Sequence, residues 1–457
     1  MKTIFNPVER HAWAKRQFEW IKSQTVWGVR NISDLLAMPP QNDPFYCGQS
    51  NRIDSGCWFS EVWDQYGKPG MHLRRFHYAL ISQAESPRLP NGEPYENTER
   101  CWIYLQSGFA NARYLGFVDP TAFTERRSAK PIIFTASRPS KPAPQVVPPA
   151  LPGWALPTLD SDITLHLSGP DVNGYDYDHD DQPYLIELWI EKSTMNDVLL
   201  PICEHFGINL FAGLGFSSIT RVAELLDQRV GEKPVRIFYI SDFDPGGEHM
   251  PSSVARQIEY WRSLYCPDAD IKLTPLVLSR EQVQRYDLPR TPIKDSDRRK
   301  DKFETRHGEG AVELDALEAL YPGELARVVR EAVDPYIDKT LLLRLAESRL
   351  NAEIIVRDEW KFATEHVRER LNDIKVRAEK VMQKYADAVA HELAPLQQEL
   401  EALHRELQQS AEAFVPELPE RPQPKVTTPD ESTWLFDSNR DYLTQLEFYK
   451  ARREILK

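Results

Sequence analysis

The sequence contains no uninterrupted apolar run of about eighteen residues. Its opening stretch, MKTIFNPVERHAWAKRQFEW, also lacks the continuous apolar segment of a secretion signal. The expectation is a soluble, cytoplasmic protein with no membrane contact. Cysteine is scarce: Cys47, Cys57, Cys101, Cys203 and Cys266 are odd in number and never spaced Cys-x-x-Cys. That argues against a disulfide framework and a zinc site and predicts reduced thiols. Positive charge is in deficit, with 56 Lys and Arg against 69 Asp and Glu and a formal net charge of −13. Such a balance argues against a surface coated with nucleic-acid contacts, while local patches can override the sum. Basic residues gather in HLRRFHY (72–78), TERRSAK (124–130) and KDSDRRKDKFETRH (294–307), and acids crowd DVNGYDYDHDD (171–181). Each cluster taken alone reads as solvated surface.

What is present is enough for more than one core. At 457 residues, 41% of them hydrophobic, the chain predicts two globular domains with accessory segments. Proline marks the boundaries. SRPSKPAPQVVPPALPGWALP (137–157) and VPELPERPQPKVTTPD (415–430) are too rich in proline for helix or central strand and read as extended linkers. Before the first, helix-like runs near 11–23 and 71–83 predict a small, mostly helical domain. After it, YLIELWIE, GINLFAGL, VRIFYISD and IKLTPLVL alternate with helical patterns, which predicts a parallel α/β sheet. From about 345 to 411 glycine is absent, and Leu371, Ile374, Ala378, Val381 and Tyr385 follow 3-4 spacing that resumes at Val389, Leu393, Leu396, Leu400, Leu403 and Leu407. This predicts a long helix with a coiled-coil-like seam, shifted near Val389 and kinked at Pro395. Either a hairpin packed on its own domain or an arm for a partner satisfies that pattern.

One β-like run ends in RIFYISDFDPGGEHM (236–250), where Asp242 and Asp244 share a face by strand alternation. Two such charges repel unless a cation lies between them, and magnesium prefers oxygen donors. Ligands of open α/β sheets bind at the strands' carboxyl ends, and Pro-Gly-Gly allows the chain to turn tightly there. Glu191 closes an earlier β-like run just before a helix, and Glu187, on the same face, reads as an exposed acid or a second acidic group. A dinucleotide fingerprint in FAGLGFSS lacks its third glycine and leaves Glu191 and Asp244 idle. A phosphatase with a nucleophilic aspartate would place threonine where Pro-Gly-Gly stands; a structural acidic turn is the remaining alternative.

The order strand, Glu-Lys, helix, strand, Asp-x-Asp, helix resembles the Toprim domain of topoisomerases, primases and certain nucleases. WIEKSTMNDVL (189–199), GLGFSSITR (213–221) and DFDPGG (242–247) are similar to the successive motifs of the topoisomerase VI A subunit and of its relative, the meiotic double-strand-break protein. The resemblance covers about 60–345 and is nearest to bacterial stand-alone homologues, whose loops are similar to YENTERCWIYLQSGFANARYLGFVDPTAFTERR and GEGAVELDALEALYP. It implies an N-terminal winged-helix-like domain (1–136), a linker (137–158), a Rossmann-like Toprim domain (159–345), a helical arm (346–412), a second linker (413–432) and a helical tail (433–457). Glu191, Asp242 and Asp244 would bind Mg2+.

In that family a winged-helix tyrosine attacks DNA, and MHLRRFHYALIS (71–82) places Tyr78 at the matching position. On a helical wheel Leu73, Phe76 and Leu80 form the apolar stripe, with Tyr78 facing away beside Arg74. A phenol is a weak nucleophile at neutral pH, and nearby cations favour its phenolate. The resemblance thus implies cleavage of double-stranded DNA by Tyr78 transesterification to a 5′-phosphotyrosyl intermediate, assisted by Arg74. Arg75, Arg126, Arg127 and Lys192 would contact phosphates, in a homodimer working with or without a separate ATPase subunit. The nuclease subunit of Wadjet-type plasmid defence resembles the same A subunit and is understood to hydrolyse DNA, so a hydrolytic nuclease and a catalytically silent DNA-binding subunit stay open.

Overall fold

The computed structural model describes residues 7–25, 31–123, 130–136, 141–151, 153–156, 165–213, 219–384 and 389–455. The chain forms two compact units, neither of them one consecutive stretch: Met1–Arg138 with Gln182–Ile337 and Val426–Lys457, and Pro139–Asp181 with Asp338–Lys425. The strands are β1 (Gln145–Val147), β2 (Asp171–Asn173), β3 (Leu185–Ile190), β4 (Asn209–Ala212), β5 (Val235–Ile240), β6 (Ile271–Val277) and β7 (Phe436–Asp437).

The first unit is built on a five-stranded sheet in the order β4-β3-β5-β6-β7. The first four strands are parallel and β7 runs antiparallel to β6. Strands buried on both faces should be apolar at nearly every position, and β3 and β5 are. Leu185, Trp189, Val235, Ile237 and Tyr239 pack with the Met250–Tyr265 helix on one side. Ile186, Leu188, Ile190, Phe238 and Ile240 pack with the Asn196–Phe206 and Glu324–Val333 helices on the other. The expected parallel α/β sheet is thus observed, corrected at its edge, where the C-terminal tail supplies β7 as well as the Tyr442–Ile455 helix. The cause is apolar: Leu435, Phe436, Leu446 and Tyr449 are buried in the same core as β5.

The N-terminal stretch is helical, with Pro7–Ser23, Ser50–Tyr66, Leu73–Ile81 and Glu99–Leu115. Among its described residues there are isolated bridges but no strand. The segment expected as a loop around 95–127 is largely the Glu99–Leu115 helix, started by the Thr98 side chain accepting from the Cys101 amide. It lies close against Ser50–Tyr66 because glycine stands at the contact: a Cβ on Gly108 would meet the Ser55 carbonyl oxygen at 2.9 Å. Asn111 and Arg52 tie the pair through Ser55 and Ser107 at 2.9 and 2.8 Å.

In the second unit the expected long arm is instead a run of separate helices. Glu365–Lys384 and Val389–Ala413 form an antiparallel hairpin, closing Leu371, Ile374 and Ala378 against Leu393, Leu396, Leu400, Leu403 and Leu407. Arg377 binds Glu399 with both terminal nitrogens at 2.8 Å, and Arg370 pairs with Glu406, a register that only opposed directions allow. The seam is therefore satisfied within the chain. The proline-rich stretches are built into this unit as well. β1 pairs with β2, Trp154 packs beside the hairpin, and Arg421 binds Asp181 at 2.7 Å.

Candidate functional site

β3 is followed by β4 on one side of the sheet, whereas β5 is followed by β6 on the other. Their connections therefore diverge, opening a crevice at the carboxyl ends of β3 and β5, the place where open α/β sheets receive ligands. Glu191 leaves β3 there, its amide donating to the Ile240 carbonyl at 3.1 Å, and Asp242 and Asp244 leave β5 alongside. The turn after them is closed by the Gly247 amide donating to Asp244 Oδ1 at 2.6 Å and the Ser241 hydroxyl donating to the Gly247 carbonyl at 3.1 Å. Only glycine fits at 247, because a Cβ would lie 2.1 Å from the Asp242 carbonyl oxygen. Phe243 exchanges both backbone hydrogen bonds with Val312 at 2.9 Å. That pairing brings Glu313, Leu314 and Asp315 beside the carboxylates, which no local pattern in the sequence signals.

Lys192 is the cationic centre of the cluster. Its Nζ lies 2.9 Å from Asp242 Oδ2 and 3.3 Å from Asp315 Oδ2, and it also pairs with Glu313. Burial works to lower the Lys192 pKa, but the bonds to Asp242 and Asp315 outweigh it and hold the ammonium above its ordinary value. Burial, with the charges of Asp242 and Asp244, pushes Glu191 up to about 7 against the pull of Lys192. Asp244 is also raised, first by burial, with the Gly247 amide opposing. Arg299, from the basic loop expected to be plain surface, chelates Asp297 at 2.9 and 2.8 Å and lies within the fields of Asp244 and Glu191. Sequence reasoning passed over Arg299, Glu313 and Asp315, since each enters by long-range packing.

Among the described residues no three carboxylate, histidine or cysteine side chains stand ready as a metal cage. Magnesium at phosphoryl sites commonly takes only one or two carboxylates, the rest of its shell being water and phosphate oxygen. The donors here fit that arrangement. Glu191 Oε2 is buried without a hydrogen-bond partner, whereas both oxygens of Asp242 are engaged, Oδ1 by the Leu314 amide at 2.7 Å and Oδ2 by Lys192. Glu191 thus has an oxygen free to face an ion and Asp244 stands beside it, while Asp242 holds the lysine and is the most heavily engaged of the three.

Tyr78 lies on the Leu73–Ile81 helix and is 55% exposed, as the wheel predicts, while Phe76 and Leu80 are fully buried. Arg74 and Arg75 are exposed next to it. His77 is buried and anchored to Tyr95 Oη at 2.7 Å and Asn97 Oδ1 at 3.2 Å, and its ring lies edge-on to Tyr78 with centroids 5.3 Å apart. Arg126 and Arg127 lie outside the described residues. Glu187 corrects an expectation: it is wholly buried rather than exposed, bound to Arg229 Nε at 2.8 Å and Trp189 Nε1 at 2.7 Å inside the sheet's core. Strand alternation set its direction, and the covering layer buried it. No family model, curated protein or solved structure matches this chain.

Proposed function

We propose that the chain cleaves double-stranded DNA at the carboxylate crevice, with magnesium as the cation and Tyr78 as the nucleophile. The observation that carries the reading is the convergence of Glu191, Asp242, Asp244 and Lys192 at the switch point of the sheet, in the order seen in the Toprim module. Bound there through Glu191 and Asp244, magnesium would supply positive charge to the phosphate and the leaving 3′ oxygen. The protein's own groups do the rest. Arg74 and Arg75, exposed beside Tyr78, bind the phosphodiester, and the Tyr78 hydroxyl gives its proton to water as it attacks. The phenolic oxygen forms a bond to phosphorus while the bond to the 3′ oxygen breaks, leaving a 5′-phosphotyrosyl link and a 3′ hydroxyl that takes up a proton. Lys192 holds Asp242 at 2.9 Å and offsets part of the cluster's negative charge before the phosphate enters. Symmetric cutting of both strands calls for two copies, the tyrosine of one serving the crevice of the other, with or without a separate ATPase subunit.

The test is cleavage of supercoiled plasmid with magnesium or manganese, quenched with detergent and resolved with and without protease. Breaks that carry protein on the 5′ end and vanish in both Tyr78→Phe and Asp244→Asn are expected. Breaks that survive Tyr78→Phe but not Asp244→Asn would make water the nucleophile and the protein a hydrolytic nuclease. DNA binding without cleavage by any form would replace the enzyme with a silent binding subunit.

A further inference from the structure

The Leu341–Ala363 helix carries two seams. One, formed by Leu341, Leu345, Ala352, Val356 and Trp360, is buried in its own unit. The opposite face is the stripe 343, 347, 350, 354, 357, 361, a 4-3-4-3-4 spacing that keeps a single face aligned over roughly 27 Å of helix. Its apolar members are open to solvent: Leu343 is 66% exposed, Leu350 57% and Ile354 39%. A solvated helix face ordinarily carries charge at such positions, so three large aliphatic side chains in register call for a cover.

We propose that this face pairs, antiparallel and about a two-fold axis, with the same face of a second copy of this chain. The charge pattern identifies the occupant. Reversing the helix about position 352 sets Leu350 opposite Ile354 of the second copy, Glu347 opposite Arg357, and Leu343 opposite the aliphatic stem of Lys361. Apolar therefore meets apolar at the centre, and acid meets base one turn outward on both sides, which is the self-complementarity an isologous contact needs. Glu347 and Arg357 are both exposed, and Arg357, now 3.2 Å from its chain neighbour Asp358, would turn to Glu347 of the second copy. Glu353 would approach its own copy across the axis, and it already has a counter-charge in Arg349, 3.0 Å away. A parallel pairing would instead align like charges, Glu347 with Glu347 and Arg357 with Arg357, so the sequence of the stripe selects the antiparallel arrangement. The hairpin seam of the same unit is closed within the chain, whereas this face stays open to solvent.

This surface stands apart from the cleavage reading, and its test needs no DNA. Sedimentation equilibrium of the full chain across the micromolar range is expected to give twice the chain mass. Leu350→Glu combined with Ile354→Glu should return it to a single chain, with an unchanged far-ultraviolet spectrum and melting point showing that the fold persists. Glu347→Arg alone and Arg357→Glu alone should each weaken association at least tenfold, and the two together should restore it. A single-chain mass at every concentration would overturn the proposal. So would a dimer that survives the Leu350→Glu and Ile354→Glu pair, or a double charge swap that fails to recover association.

Discussion

Replacing Arg256 by methionine should cost the first unit about 3 kcal/mol. Arg256 is fully buried and joins three separate parts of the chain. Its Nε is 3.2 Å from each oxygen of Asp43 in the N-terminal stretch, Nη1 is 2.8 Å from Glu259 on its own helix, and Nη2 is 2.6 Å from the Tyr442 hydroxyl in the tail. The guanidinium also lies over the rings of Phe45 and Tyr442, 4.1 and 4.6 Å from their centroids. Methionine keeps much of the volume but leaves two carboxylates buried without their cation, and breaking one partner of such a pair costs about 3–5 kcal/mol. The lower end applies, because Asp43 keeps the Met38 and Phe45 amides at 3.1 Å and Glu259 keeps the Tyr449 hydroxyl at 3.2 Å. About 3 kcal/mol is roughly a hundredfold in the folded-to-unfolded ratio. Urea unfolding followed by tryptophan fluorescence should show the midpoint falling with an unchanged slope. Asp43→Asn introduced into the Arg256→Met chain should cost less than it does alone, since the charge it removes has already lost its partner. A loss below about 1 kcal/mol for Arg256→Met would refute the view that this arginine fastens the N-terminal stretch and the tail to the sheet's helix layer.

Gly247→Ala should lower the melting point and abolish the plasmid cleavage proposed above, because the added Cβ, 2.1 Å from the Asp242 carbonyl oxygen, forces that backbone and the turn that aims Asp244 to move; an unchanged melting point would show that the turn yields without cost. Asp338, in the second unit, is held down to about 2: burial opposes this, but the Lys425 and Thr340 amides, the Thr340 hydroxyl and Arg344 prevail. A carboxylate with a lowered folded pKa stabilises above its unfolded value near ~3.9 and loses that contribution as pH falls towards about 2. Melting of the second unit should therefore decline from pH 4 to pH 2 in the natural chain, with a shallower decline in Asp338→Asn; equal slopes would contradict the assignment. Glu187→Gln should destabilise the sheet by about 3 kcal/mol, since it leaves Arg229 buried without its counter-ion; calorimetry would register an unchanged melting point if the pair were dispensable.

Much of this molecule was legible one segment at a time. The four parallel strands stand where apolar β-forming runs predicted them, Tyr78 faces solvent as the 100° wheel requires, and Glu191, Asp242 and Asp244 fall at strand ends because a strand ends where its apolar run does. These are consequences of short-range geometry, since the periods of 2 and 3.6 act between near neighbours. The arm was legible as a seam, with a hairpin and a partner arm left as equal readings of it. Spacing shows that Leu371 and Leu400 each need an apolar partner, and it is silent on whether that partner lies in the same chain.

Tertiary structure alone decided the rest. Glu187 has the same local signature as an exposed acid, and only the neighbouring strand and Arg229 turn it into a buried ion pair. Lys192 meets Asp242, Glu313 and Asp315 because Val312 docks beside Phe243, a pairing of residues 69 apart whose closure no local propensity encodes. The tail becomes the sheet's edge for the same kind of reason: Phe436 fills space that exists only once β6 and the helices behind it have assembled. Local pattern thus determined which elements form and which side chains each presents. Long-range packing determined which of those side chains meet, because the free energy of burying a face depends on what covers it.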